Sequence, residues 1–255
     1  MSLLDRRTSV AIAGLLAALS LTRPSDVAAD SLADGKALAS EMMAQRPTES
    51  SEYNCELKLR DAAERRTAVP VKLQILPGDH SWQAIYAAAP TNGSPAEKLT
   101  VTHFEDQRPN EYRLERLTTP GATNPATSTL NGDAANLPFA GSDFWLADLG
   151  LEFLHWPQQR LTKKEMRKGR PCKVLESANP TPTKGSYSRV LTWVDAETDN
   201  PILAQAFDQN GKLLKEFAIN KIKSVNGHYQ LKEMEIRNDQ TDSRTRLEYQ
   251  LDLGK

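Results

Sequence analysis

The chain has 255 residues, a formal net charge of −1, and 39% hydrophobic and 6% aromatic residues. Without a basic excess it has no overall electrostatic footprint for nucleic acid or an anionic bilayer. Its apolar content suffices for a core but is lean for a closed, fully packed one, and its length fits one large all-β domain or two small ones.

The first 29 residues read as a signal peptide. Arg6 and Arg7 supply a positive start, Val10–Leu21 an apolar run, and Val27, Ala28 and Ala29 small residues before a cut at Asp30. The run is shorter than the roughly 20 residues that a membrane span needs. Paired arginines fit general and twin-arginine export alike. No cysteine stands at the cut to carry a lipid. The expectation is an exported, soluble protein with one domain over residues 30–255.

Ser31–Gln45 follows as an amphipathic helix. Leu32, Leu38, Ala39, Met42 and Met43 fall near one face, Ser31 with Asp34 resembles a capping box, and Pro47 stops the run. Adjacent methionines usually fill gaps in a core, and they can also form a soft surface that adapts to acyl chains.

Alternating strands then begin. Tyr53, Cys55, Leu57 and Leu59 share one face, as do Val71, Leu73 and Ile75. In Trp82–Ala89 few side chains are large, so a wall built from this strand leaves room above it. Leu99, Val101 and His103 share the next face, and Tyr112 and Leu114 the one after. Thr118–Pro138 shows no period and reads as a long loop.

Gly141–Gly150 does not alternate. Phe144, Leu146 and Leu149 fit one or two helical turns, with Asp143 at the start and Gly150 at the end. The segment reads as a short amphipathic plug between two halves of a sheet, either packed as a surface helix or presenting Phe144 and Trp145 at the mouth of an apolar cavity. Strands resume from Gln159 to Leu253, with Asn210-Gly211 and Asn226-Gly227 as hairpin turns. About eleven strands with one-sided alternation make a strongly curved antiparallel sheet, the helix and plug lying against its inner face.

Catalytic chemistry is thinly represented. His80, His103, His155 and His228 have no partner at i, i+4, and no nucleophile-elbow, phosphate-loop or zinc-protease pattern occurs. Asp143 and Asp148 could form a carboxylate pair, but capping and a wet face explain them without chemistry. Cys172, between Arg170 and Lys173, could have a lowered pKa, yet its place in an alternating strand argues for burial. Cys55 and Cys172 either bridge, as two cysteines in an oxidising compartment can, or remain two buried thiols. No enzyme, cofactor or metal is expected.

Four stretches, Gly141–Leu149 (GSDFWLADL), Gly169–Glu176 (GRPCKVLE), Tyr187–Asp195 (YSRVLTWVD) and Phe207–Lys215 (FDQNGKLLK), resemble the LolA-like outer-membrane lipoprotein-sorting family. Trp145 and Leu146 depart from it, standing where relatives often carry polar or tyrosine residues. The resemblance implies a periplasmic protein with a mainly β fold, a half-open antiparallel barrel closed by helices around an apolar cavity. It implies lipid or lipoprotein acyl chains as cargo, with donor and acceptor membrane proteins as partners. On that reading Leu73, Ile75, Trp82, Tyr86, Val101, Tyr112, Phe144 and Trp145 line the cavity, the last two as its gate. The alternative is a periplasmic sensor or protein-interaction module on the same fold.

Overall fold

A computed structural model describes residues 24–91, 95–117, 124–225 and 228–250. Of the expected signal peptide, residues 1–23 lie outside the described residues; helix α1 runs over Pro24–Ala44. It therefore passes through Ser31, which is not its cap. The strands are β1 (Ser51–Arg60), β2 (Arg66–Pro77), β3 (Ser81–Ala88), β4 (Glu97–Phe104), β5 (Glu111–Arg116), β6 (Ala126–Leu130), β7 (Gln158–Arg167), β8 (Arg170–Ala178), β9 (Arg189–Asp195), β10 (Pro201–Phe207), β11 (Leu213–Val225), β12 (His228–Asn238) and β13 (Ser243–Gln250). A 3-10 turn at Gly132–Ala135, helix α2 at Leu146–Leu149 and a second 3-10 turn at Glu152–His155 lie between β6 and β7.

All thirteen strands form one antiparallel sheet in the order β6-β5-β4-β3-β2-β1-β13-β12-β11-β10-β9-β8-β7. Each neighbour is a sequence neighbour except at one seam, where β1 pairs with β13 from Asn54↔Gln250 to Arg60↔Arg244. The sheet is open, with β6 and β7 at its edges, rather than a closed barrel. The strand count exceeds the expected eleven chiefly because β6 falls in the expected Thr118–Pro138 loop. Its sequence, Ala-Thr-Ser-Thr-Leu, is exposed on nearly every residue, so no apolar alternation announces it. What holds it is chiefly backbone pairing with β5, from Tyr112↔Leu130 to Arg116↔Ala126, with Leu130 its one side chain packed on the inner cluster.

The period-two pattern sorts side chains to two faces. The inner face carries Leu57, Leu73, Tyr86, Leu99, Tyr112, Ile236 and Leu247 in one buried cluster, together with Phe139, just before the plug, and Phe144 and Leu146 within it. A second inner cluster joins Leu38, Ala39 and Met42 of α1 to Phe153, Leu154, Leu175, Val190 and Val194. Helix α1 crosses β7 so closely that a Cβ on Gly35 would stand 2.5 Å from Arg160 Cα.

Register separates the two cysteines. Cys55 lies on the inner face in β1. Cys172 lies in β8, six strands away, in a separate cluster with Val174, Trp193 and Leu203. That cluster occupies the opposite face, because Val174 pairs with Trp193 whereas Leu175 of the inner cluster pairs with Thr192. Strands are spaced about 4.8 Å apart and a disulfide spans at most about 7 Å between Cα atoms. Both thiols are free and buried, which overturns the bridge. Burial also pushes the Cys172 thiol up, against the lowering expected from Arg170.

Candidate functional site

The plug is tied to the inner wall by polar groups at both ends. At its start, the Glu97 carboxylate accepts the Ala140 N–H at 2.9 Å and pairs with Arg116 at 2.9 Å. The Asp143 carboxylate accepts hydroxyl protons from Ser243 (2.5 Å) and Thr245 (2.9 Å) of β13. Helix α2 begins where Asp148 reaches back to accept the Trp145 N–H at 2.8 Å. The cap is thus Asp148 closing on Trp145, rather than Asp143. Lys215 of β11 is buried, donates to the Asp143 carbonyl at 2.7 Å and lies 3.3 Å from Asp148 Oδ2. The Tyr187 hydroxyl donates to Asp148 Oδ1 at 3.0 Å. Both acidic residues of the plug are therefore anchors.

Between the end of α1, strands β2–β4, the plug and the β9–β10 connection lies a cavity of about 290 Å³. Its apolar walls are Met42 and Met43 from α1, Ile75 from β2, Trp82, Ala84 and Tyr86 from β3, and Leu149, Leu151 and Leu154 behind the plug. A narrower apolar pocket of about 30 Å³, between the second 3-10 turn and β9–β12, shares Leu151 and Pro201 with it. Leu151 sits in the left-handed region (φ 51°), a conformation that costs a non-glycine residue about 1–3 kcal/mol. It does so where the chain turns between α2 and the 3-10 turn, on the wall common to both spaces.

Of the eight residues expected at the cavity, Ile75, Trp82 and Tyr86 line it. Leu73, Val101, Tyr112 and Phe144 stand in the packed inner cluster, the last three fully buried. Trp145 lies elsewhere, its ring stacked on Tyr187 at 4.5 Å with Lys215 Nζ 3.6 Å over its centroid. The residues that sequence reasoning missed are mostly polar or backbone-determined: His103, Asn110, Gly150 and His155. The methionine pair and the small side chain of Ala84 carried the available signal.

The polar part of the cavity is organised by Asn110. Its amide donates to the Gly150 carbonyl at 2.8 Å and to the Tyr112 hydroxyl at 3.3 Å, and that hydroxyl donates to Glu152 at 2.9 Å. Gly150 must be glycine, because a Cβ there would run into the Tyr112 hydroxyl. His103 stacks on Trp82 at 3.9 Å. His155 Nδ1 donates to the Gln107 carbonyl at 3.2 Å. Among the described residues no group of three His, Cys, Asp or Glu is placed to hold a metal ion.

Burial pushes the Glu152 carboxyl up to about 7 and the His103 imidazole down to about 4. From pH 4.5 to about 7 the folded protein keeps a proton on Glu152 that the unfolded chain releases, so stability falls as pH rises. From about 4 to 6.5 the unfolded chain binds a proton at His103 that the fold excludes, so stability rises with pH. The two slopes oppose, and His155, also lowered by burial, adds to the rising one. Melting curves across pH check this. Glu152→Gln should remove the decline and leave a profile rising more steeply towards neutral pH. His103→Asn should uncover the decline. Parallel profiles for the two variants would refute the assignment.

No curated protein matches the sequence. Residues 125–251 match the model of a family described as "Uncharacterized protein". Solved structures are more informative. A putative outer membrane lipoprotein-sorting protein domain from Vibrio parahaemolyticus superposes with a TM-score of 0.70 at 20% identity, over 86% of this chain and 92% of its own. A DUF1329 family protein from Desulfovibrio piger gives 0.69 at 16% identity, over 88% and 95%. A LolA superfamily protein from Nitrosomonas europaea gives 0.58 at 14% identity, over 87% and 92%. An open antiparallel sheet, cradling an N-terminal helix and a central plug, gives this chain the LolA-like fold.

Proposed function

We propose that this protein is a periplasmic carrier that shelters a single alkyl chain of a lipid or lipoprotein. The observation that carries this reading is the cavity beside the plug, apolar on most of its wall and bounded by Met42 and Met43. Its volume of about 290 Å³ stands at the lower end of the roughly 300–1,000 Å³ of small-molecule sites. It therefore suits one chain, where a larger hollow would be needed for the several chains of a whole lipoprotein anchor. Each CH₂ group moved from water into it gains about 0.8 kcal/mol. The likeness to a lipoprotein-sorting domain and the leader expected over residues 1–29 support the cargo class and the compartment.

Titration of the purified protein with a fluorescent fatty acid, alongside native mass spectrometry for co-purified lipid, tests the reading. Ala84→Trp should fill the cavity and weaken binding at least about tenfold, the equivalent of two excluded CH₂ groups. Trp145→Phe, altered outside the cavity, should bind as the wild type does. Absence of both titratable binding and bound lipid would end the proposal.

A further inference from the structure

On the outer face of the sheet, at the end of the β1–β13 seam, four arginines stand side by side on adjacent strands. Arg60 pairs in register with Arg66 of β2 on one side and with Arg244 of β13 on the other, and Arg244 pairs with Arg237 of β12. In the next outward row Lys58 is paired with Arg246. Directly opposed side chains lie about 4.5–5.5 Å apart at Cβ, and like charges so placed destabilise the sheet. The chain has a net charge of −1, so this row is a local concentration that the overall composition conceals.

Some of the charge is answered. Arg60 pairs with Glu64, Lys58 with Glu248 at 2.7 Å, Arg237 with Asp239 at 3.0 Å, and Arg246 with Glu235. Among the described residues, Arg66 and Arg244 have no ion pair. Arg60 Nε is buried with no acceptor. Between these side chains lies a depression of about 320 Å³ to which Lys58, Arg60, Arg66, Arg244 and Arg246 all contribute and no carboxylate does. Several guanidinium forks around one hollow match the oxygens of a tetrahedral dianion better than a lone carboxylate, because each fork can hold two oxygens.

We infer that this arginine-lined hollow on the outer face binds the phosphate group of a ligand, at a site separate from the apolar cavity. Bound phosphate supplies the acceptor that Arg60 Nε lacks and neutralises Arg66 and Arg244.

Thermal unfolding of the full chain in sodium pyrophosphate, against sodium chloride of equal ionic strength, tests the site. Pyrophosphate should raise the melting temperature of the wild type. The double variant Arg66→Gln/Arg244→Gln should lose that increment, bind pyrophosphate at least about tenfold more weakly, and melt higher than the wild type in chloride because the opposed charges are gone. The conservative pair Arg66→Lys/Arg244→Lys should recover part of the response. Sedimentation with mixed phosphatidylcholine–phosphatidylglycerol vesicles separates the sources of phosphate. Arginine-dependent pelleting identifies a lipid headgroup, and a pyrophosphate response without pelleting identifies a soluble phosphate. Equal responses of wild type and Gln variant to pyrophosphate, with no arginine-dependent pelleting, would overturn the inference.

Discussion

Lys215→Ala should destabilise the protein by about 3–5 kcal/mol, the usual result of removing one partner from a buried ion pair. The Lys215 side chain is 4% exposed and that of Asp148 10%, so neither charge can turn to water for compensation. Desolvation lowers the lysine pKa, while Asp148 and then Asp143 oppose that shift. Without the ammonium, Asp148 keeps only the Tyr187 hydroxyl and the Trp145 N–H, and the Asp143 carbonyl loses its donor. The indole of Trp145 also loses the cation 3.6 Å above its face. Lys215→Met with Asp148→Asn should recover most of the loss, since replacing both partners removes the uncompensated charge. Urea denaturation of Lys215→Met, of Asp148→Asn and of the double variant closes the cycle and gives the coupling directly. A loss under about 1 kcal/mol for Lys215→Ala would mean that the pair is solvated and the plug is not held by it.

Phe144→Ala is the second large effect, again about 3–5 kcal/mol. The ring is fully buried and meets Phe217 edge-on at 6.4 Å. A gate residue would respond differently, losing ligand binding or release while the fold kept its stability. Comparison of the urea midpoint with fatty-acid affinity of the remaining folded protein separates these outcomes. The expected result is a lowered midpoint with little change in affinity, since Phe144 does not line the cavity. Unchanged stability with altered affinity would restore the gating role.

These two side chains show what could be read in the sequence. One-sided alternation in Tyr53–Leu59, Val71–Ile75 and Leu99–His103 identified the strands and their inner faces correctly, because a half-buried sheet imposes a period of two on side-chain polarity. The same alternation is silent on whether a residue facing inward meets a neighbour or a void. Val101 and Trp82 both face inward, yet one is packed solid and the other borders the cavity. That difference is set by where the plug lands, and its landing is fixed by Asp143 and Asp148 reaching partners 39–102 residues away. Asn110 escapes notice, and His103 is placed on its strand face but not at the cavity, for the same reason, since each acts through a contact made only after folding. Strand β6 escaped because its support comes chiefly from its backbone, with a single apolar contact at Leu130.

The seam between β1 and β13 has a consequence for how the molecule is assembled. Strands β1–β6 and β7–β13 are each a chain of hairpins that can zip up from local contacts. The two arms become one surface only when the last strand is available to clasp the first. Joining residues so remote in sequence is slow compared with hairpin closure. Until β13 is in place, Asp143 lacks its anchors Ser243 and Thr245 and the plug is not fully held, so apolar inner-face side chains stay open to a chaperone.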